Sequence, residues 1–432
     1  MLLRKPVRQM SSNNRSYALS VREVNFLELV TQLHSQNVNM IILFSHLASQ
    51  GSALANTLLP VLLLRYQTSQ TTILTTLLTD EVAVSFNRTF STISLSQMAP
   101  EIVHQRTGFS LDEIQQLKIL YGGEDIVSVQ GRNMPLDLVI LVALERLRNG
   151  SDFSTFVTNY GGEGRRWGEA VTWFIDATYL YASRLEDPDA MHRYADQAED
   201  FRLAVVGVLQ SRGFYPVDGE DTVFGFIDAT NIRCCNPGDS QTQTAVYSGY
   251  LKGCAVKALT GVFPNGLSMF VHISSGRNPD NVEVTNCGLE ASLKEYTRLS
   301  GVLGRIYSVY GDKIFGPTGL VKAPNDMENP RNSTATFRLA NPNFVDRCNS
   351  QDLAMSFCRA SIEHQYCSVK NGMRYFERIS KHKLLANDNF RKLIPIAFFF
   401  HDVKACFRGN DVSKMFSCEP PTFKDYMRTL MS

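Results

Sequence analysis

The hydrophobic pattern centres on a short, almost fully apolar run, Val223–Ile227, that ends in the carboxylate of Asp228. Such a run is typical of a strand buried on both faces. A carboxylate that closes a buried strand is well placed to bind a metal ion. It equally suits a plain turn, because Asp and Asn commonly end strands by bonding their own backbone. The rest of the chain has to decide between these interpretations.

Before this run the apolar spacing is helical. It predicts a helical region over residues 22–130. Residues 1–21 are basic and weakly hydrophobic, which predicts a mobile arm that contacts DNA or supports nuclear import. A disordered tail without a role is the alternative for this arm.

Residues 131–185 predict three short helices, with Gly161-Gly162 before the third and Arg165 and Arg166 at its start. This pattern matches a helix-turn-helix segment, and it makes Arg165 and Arg166 candidate DNA contacts. A small helical bundle without a DNA ligand fits the same pattern. Residues 186–220 follow as an acidic helical connector.

After the connector, the spacing of apolar residues becomes typical of strands. Residues 254–262 and 267–273 predict two strands joined by a Pro-Asn-Gly turn, which form an antiparallel unit with the strand that ends at Asp228. A helix over 282–300, a strand over 305–310, a long loop over 313–350 and a helix over 351–379 complete the order. That order is RNase H-like.

The predicted fold class is therefore α+β. An RNase H-like catalytic domain over 221–408, with a mixed sheet flanked by helices, follows an all-helical region that contains the helix-turn-helix-like segment. Residues 409–432 are predicted to be a C-terminal tail.

Three carboxylates could meet in this domain: Asp228 and Asp312 at strand ends, and Glu363 on the helix after the loop. The first and fourth strands are neighbours in an RNase H-like sheet, so the two aspartates are expected side by side. Carboxylates that converge repel one another unless cations lie among them, and Mg²⁺ prefers such oxygen ligands. Two Mg²⁺ or Mn²⁺ ions would support phosphodiester displacement.

The same helix carries Arg359, Glu363, Lys370 and Arg374 at spacings that predict one shared face. A site for metal and phosphodiester would have one acid among three cations. The alternative is an ordinary ion pair of Arg359 with Glu363 on a solvated face. Near the second strand, Lys252 and Lys257 alternate with tyrosines, as on a surface that follows a DNA strand or on an ordinary sheet.

The charge and composition of the chain exclude few classes of function. The net charge is +1, with 44% hydrophobic and 20% charged residues, as in an ordinary soluble globular protein. Ten Lys/Arg face four acids over residues 356–408, which permits a polyanionic partner. All nine cysteines follow residue 230 without a metal-binding spacing, and reduced thiols of an intracellular protein are expected. No apolar run is long enough to span a membrane.

Several sequence blocks, in this order and spacing, resemble the Harbinger branch of DDE transposases and the nucleases derived from it. They cover roughly residues 220–408 and read FGFIDATNIRCCNP (224–237), GYLKG (249–253), SSGRNPD (274–280), VYGD (309–312), CNSQ (348–351), RASIEHQYCSVKNGMRYF (359–376) and FFHD (399–402).

The resemblance implies Asp228, Asp312 and Glu363 as a metal-binding triad, and four basic residues as DNA contacts: Lys252, Arg359, Lys370 and Arg374. Departures from the family pattern are Ala229 after the first Asp, Pro279-Asp280 where His-Asp is usual, and His401-Asp402 where His-Asn is more frequent. None of these departures removes a metal ligand.

The expected function is a metal-dependent DNA transposase or endonuclease that cuts at element ends and joins the freed 3′-hydroxyl to a target. A domesticated, catalytically inactive DNA-binding or scaffold protein on the same fold is the alternative. The resemblance also implies a Myb-like DNA-binding partner protein. A homodimer and a nuclear location with a cytoplasmic pool are further expectations.

Overall fold

A computed structural model describes residues 98–216, 222–315, 319–323, 342–377 and 389–432, with a few isolated positions before residue 98. The chain divides into two compact units: Met1–Thr92 with Tyr160–Gly162, and Ile93–Asn159 with Glu163–Ser432. The predictions for the arm 1–21 and for residues 22–94 fall almost wholly outside the described residues. All that follows concerns the second unit.

The N-terminal part of this unit is helical and includes one short hairpin. Its elements are α1 (Pro100–Thr107), α2 (Leu111–Leu117), β1 (Ile126–Val129), β2 (Arg132–Pro135), α3 (Leu136–Asn149), α4 (Phe153–Tyr160), α5 (Gly164–Ala182) and α6 (Ala198–Ser211). Gly150, at φ 64°, ends α3 in the left-handed conformation that glycine adopts without strain. The helices predicted over 131–185 therefore form nearly where the sequence placed them.

A mixed sheet follows. Its strands are β3 (Val223–Arg233), β4 (Tyr247–Ser248), β5 (Gly253–Val262), β6 (Ser268–Ser275), β7 (Ser308–Tyr310) and β8 (Val321–Lys322). β3 pairs with β5, and β5 with β6, in antiparallel fashion, whereas β7 pairs with β3 and β8 in parallel. The predicted antiparallel unit and the predicted neighbourhood of the first and fourth strands are both confirmed.

Helices flank this sheet. They are α7 (Ser240–Val246), α8 (Asp280–Asn286), α9 (Leu289–Leu299), α10 (Pro342–Gly372), α11 (Asn389–Arg408), α12 (Asp411–Phe416) and α13 (Phe423–Met431). α10 packs on β3, and α11 packs on β6 and α5. Phe224 and Phe226 of β3 are fully buried, and the Phe224 ring stacks on Tyr296 with centroids 4.4 Å apart. The α+β class with a mixed sheet flanked by helices is confirmed.

The structure corrects three boundaries. Residues 126–135 form a hairpin within the stretch predicted as helical, since four-residue strands are too short to show a period. The helix predicted over 282–300 breaks at Gly288, which has φ 73°. The predicted loop 313–350 contains the two-residue strand β8 and the start of α10.

The helix-turn-helix arrangement is not confirmed. α5 buries Trp167, Phe174 and Ile175 and packs on α3 and α11, as a helix of an ordinary bundle does. Arg165 is exposed and pairs with Glu169 at 2.9 Å. Among the described residues, no helix is both long enough and apolar enough to cross a membrane.

Candidate metal and DNA site

The register of two neighbouring strands brings Asp228 and Asp312 to the same level. In the parallel pair β3 and β7, Phe226 is the partner of Tyr310. Asp228 and Asp312 each lie two residues beyond that pair. Adjacent strands are about 4.8 Å apart, so the two aspartates lie side by side. Asp312 follows the end of β7, but β3 does not end at Asp228 as the sequence predicted, because it continues beside β5 as far as Arg233. The sequence prediction for this pair is consistent with the observed topology.

Gly311 allows the chain to turn tightly just before Asp312. A Cβ at this glycine would lie 2.5 Å from the Phe315 ring and 3.1 Å from the side chain of Ile227. Each aspartate then turns an oxygen to the next backbone N–H: Ala229 N donates to Asp228 Oδ1 at 2.8 Å, and Lys313 N donates to Asp312 Oδ1 at 2.7 Å. Among the described residues, no hydrogen bond occupies the second carboxylate oxygen of either aspartate.

The environment of Asp228 disfavours its charged form. Burial raises the pKa of this carboxyl to about 6, and the negative charges of Asp280 and Asp312 add to that rise. The hydrogen bond from Ala229 and the positive charge of Arg359 act in the opposite direction. The charges of Asp280 and Asp312 therefore oppose ionisation of Asp228, and a cation placed beside Asp228 would relieve that repulsion.

Polar contacts hold α10 against the middle of β3. The Tyr366 hydroxyl donates to the backbone oxygen of Asp228 and accepts a hydrogen bond from Thr260 Oγ1 at 2.8 Å. One helical turn further, Lys370 Nζ donates to Thr230 Oγ1 at 2.8 Å. The exposed Lys370 thus lies beside the strand that carries Asp228, where a phosphodiester near the aspartates could reach its ammonium group.

Glu363 lies on the exposed side of α10 in an ion pair with Arg359, 3.1 Å apart. The charge of Arg359 also acts on Asp228, so this guanidinium lies close to both carboxylates. Within the described part of the chain, no three His, Cys, Asp or Glu side chains are arranged to hold a metal ion. The fit to a metal is therefore partial: two aspartates lie level with each other, and the third carboxylate is held by an arginine.

Two of the predicted DNA contacts need correction. Lys257 is buried, because its ammonium donates to Asp280 and to the backbone oxygen of Asn278, so it offers no charge to a surface ligand. Arg374 does not share the face of Arg359, since α10 ends at Gly372 and Arg374 starts a short 3₁₀ helix. Lys252 is exposed, at φ 51° in the turn before β5.

Sequence reasoning gave too little weight to Asp280. It was noted only as a departure from the family pattern, but Asp280 starts α8, pairs with Lys257 and affects the pKa of Asp228. Tyr366 was not singled out either. A lysine buried within a strand was the available signal, because a buried ammonium requires a carboxylate nearby.

A mixed sheet whose neighbouring parallel strands carry aspartates at the same level is an arrangement suited to a metal-dependent nuclease. Residues 227–370 match the family described as DDE superfamily endonuclease, a range that includes Asp228, Asp312 and Glu363. This match supports a DDE transposase-like family, whose nucleases generally use divalent metal ions. No curated protein and no solved structure matches the chain.

The ion pair of Arg359 with Glu363 leads to a first prediction. We expect Arg359→Gln to tighten Mn²⁺ binding roughly two- to fivefold, because an exposed ion pair contributes up to about 1 kcal/mol and its loss frees Glu363. Mn²⁺ titration followed by calorimetry measures the change. Arg298→Gln is the matched control, since Arg298 forms a similar exposed pair with Glu295. Weaker Mn²⁺ binding by Arg359→Gln would contradict this role for Arg359.

Proposed function

We propose that this protein is a Harbinger-type DNA endonuclease or transposase that cleaves phosphodiester bonds with two Mg²⁺ or Mn²⁺ ions and transfers the freed end to a target. The observation that carries the proposal is the level placement of Asp228, within β3, and Asp312, just after the neighbouring parallel strand β7. The endonuclease family match over the same segment supports it.

In this proposal Asp228 and Asp312 hold the metal, and Glu363 joins them when it leaves Arg359. A bound divalent ion would supply Lewis-acid stabilisation for an in-line phosphodiester displacement. Asp280 stays with Lys257, and its charge keeps the site negative. Arg359 and Lys370 then have the task of neutralising the phosphates next to the scissile bond.

Lys252 and Arg374 are proposed as additional DNA contacts away from the aspartate pair. The exposed pair of Arg165 with Glu169 leaves a DNA role for Arg165 as a proposal, and the half-buried Arg166 is a weaker candidate. A Myb-like partner would supply recognition of the element ends. Homodimer formation and a nuclear location with a cytoplasmic pool belong to the same proposal.

The test is Mg²⁺- or Mn²⁺-dependent cleavage of DNA by the purified protein. We expect Asp228→Asn and Asp312→Asn to lower the cleavage rate by at least about a thousandfold, because loss of either carboxylate removes charge and a ligand from the metal. Glu363→Gln is expected to have a similar effect. Rates are measured on a labelled duplex with saturating metal.

Glu290→Gln is the matched control for Glu363→Gln. Glu290 is also an exposed helical carboxylate in an i,i+4 ion pair, with Lys294 at 3.1 Å. Cleavage that survives Asp228→Asn would contradict the proposal. A wild-type protein that binds DNA but leaves it intact, with and without candidate partners, would favour the domesticated DNA-binding protein instead.

A further inference from the structure

A large cleft lies beside the C-terminal part of α10, from Glu363 to Gly372. Its volume is about 1020 Å³, and it is bounded by the end of α1, the ends of α3 and α10, and the C-terminal half of α11. Glu363 and His364 line one part of it. The cleft therefore begins at the candidate active site and leads away from it.

Basic side chains outnumber acidic ones in the lining. They are Arg148, Arg374, Lys404, Arg408 and Lys414, against the carboxylates of Glu363 and Asp411. Arg148 is close enough to both Arg374 and Arg408 for their charges to lower its pKa, although burial is the larger cause. Like charges assembled in this way destabilise the free protein unless an anion joins them.

Two of these cations converge on Gly108, which has φ 76°. A Cβ at this position would clash with Arg148 Nη1 and lie 3.0 Å from Lys404 Nζ. Arg148 is fixed there by a hydrogen bond from its Nε to the backbone oxygen of Gln105, 3.1 Å long. A glycine therefore leaves the space in which an arginine and a lysine approach each other.

Lys404 is the most confined of these cations. Its Nζ lies 4.6 Å from the centroid of the Phe109 ring, and it donates no hydrogen bond to any residue in the described ranges. Burial lowers the pKa of Lys404 to about 7, and the charges of Arg148 and Arg408 lower it further, against the opposing effect of Glu113. The Lys404 ammonium group therefore has no hydrogen-bond acceptor among the described residues, and a bound anion could supply one.

Arg408, unlike Lys404, is held by contacts within the protein. It donates to the backbone oxygen of Gly108 at 2.7 Å and lies 3.7 Å from Glu113. Its own charge is thereby partly compensated. Lys404 and the exposed Arg374 have no comparable acidic partner among the described residues, so they are the groups left for a ligand.

We propose that this cleft binds the phosphate backbone of the DNA segment that runs on from the candidate active site. The inference rests on the proposed function for the identity of its ligand as DNA. The volume is many times that of one phosphate group, and the cations are spread over three helix ends, as a run of successive phosphates requires. The contact is electrostatic and independent of base sequence.

The test is DNA affinity in EDTA, measured by fluorescence anisotropy of a labelled duplex at several salt concentrations. We expect the double substitution Lys404→Met with Arg374→Gln to weaken binding at least tenfold. The slope of log K against log salt should fall by about 0.9 for each lost phosphate contact. The melting temperature should stay the same or rise, because the substitutions relieve repulsion between like charges.

The matched control is Lys294→Met with Arg428→Gln. It removes one exposed lysine and one exposed arginine from helices outside the cleft, α9 and α13. Unchanged affinity in the cleft variant would overturn the proposal. So would inorganic tripolyphosphate that binds at Lys404 without competing with DNA, because the site would then serve a free phosphate.

Binding in EDTA does not depend on cleavage, so the two proposals fail separately. A cleft variant that loses DNA affinity in a protein that never cleaves DNA supports the cleft and contradicts the catalytic proposal. A cleft variant that keeps DNA affinity, in a protein that cleaves DNA through Asp228, overturns the cleft alone.

Discussion

Asp228→Asn should make the metal-free protein more stable at neutral pH while it abolishes cleavage. The pKa of Asp228 is raised to about 6 in the folded protein, chiefly by burial, against 3.8 as its ordinary value. Ionising this carboxyl therefore costs folding free energy, up to about 3 kcal/mol above pH 6. Asparagine carries no charge and can still accept the hydrogen bond from Ala229.

The raised pKa of Asp228 determines how the free energy of unfolding changes with pH. A carboxyl whose folded pKa is raised binds more protons in the folded state between pH 4 and 6, so the wild type loses stability as pH rises through that window. The gain from Asp228→Asn should be near zero at pH 4 and full at pH 7.5. Chemical unfolding in EDTA at both pH values measures it.

Divalent metal should make the wild type more stable than Asp228→Asn, the reverse of the metal-free result. Binding to the folded wild type adds stability as RT ln(1 + [M]/Kd), about 2.7 kcal/mol at a hundredfold excess over Kd. Asp228→Asn should show little of this gain. Asp239→Asn, an exposed aspartate that caps α7, is the control with the same chemical change. A metal-free Asp228→Asn protein that is less stable than wild type at pH 7.5 would show that Asp228 serves the fold.

The sequence predicted the sheet better than it predicted the surroundings of the site. Val223–Ile227 is apolar on both faces, and only a central strand satisfies that pattern. The neighbourhood of β3 and β7, and with it the level placement of Asp228 and Asp312, followed from the order of elements. These predictions depend on apolar runs and on the order of elements, and both can be read directly from the sequence.

The failures concern side chains whose role depends on contacts distant in sequence. Lys257 looked like a surface cation because its partner Asp280 is 23 residues away. The basic cleft joins Arg148 to Lys404, and no local pattern connects positions so far apart. β8 has two residues and shows no period at all. Each of these features exists only once the chain is folded.

The last 24 residues give the clearest case. They were predicted to be a C-terminal tail, yet they form α12 and α13, which pack into the domain. The Phe416 ring stacks on Phe226 of β3 with centroids 5.6 Å apart, and Asn410 Nδ2 donates to the backbone oxygen of Gly266 at 2.9 Å. Phe226 lies two residues before Asp228, so this contact supports the strand that carries the site.

Asp402 links α13 to β6 through hydrogen bonds. This carboxylate is fully buried and accepts hydrogen bonds from Ser268 N at 3.0 Å, from Ser268 Oγ at 2.9 Å and from the Tyr426 hydroxyl at 3.2 Å. The FFHD block that resembled a family motif therefore includes a structural carboxylate. Without α13 that buried charge would lose one of its donors, which is costly for an ion away from water.

Removal of residues 410–432 should consequently unfold the domain. The segment buries five large side chains, Val412, Phe416, Phe423, Tyr426 and Leu430. At about 1.5–3 kcal/mol each, their burial is comparable with the 5–15 kcal/mol that stabilises a typical domain. The truncated chain is expected to lack the cooperative thermal transition of the full chain in circular dichroism.

Two neighbouring residues of α13 test the same point without truncation. Leu430 is 2% exposed and Met431 is 52% exposed. Leu430→Ala should lower the free energy of unfolding by about 2–5 kcal/mol, whereas Met431→Ala should change it by less than about 0.5 kcal/mol. Equal and small effects of the two substitutions would mean that α13 is a detachable tail. A large difference would show that α13 is an integral part of the domain, packed on α11.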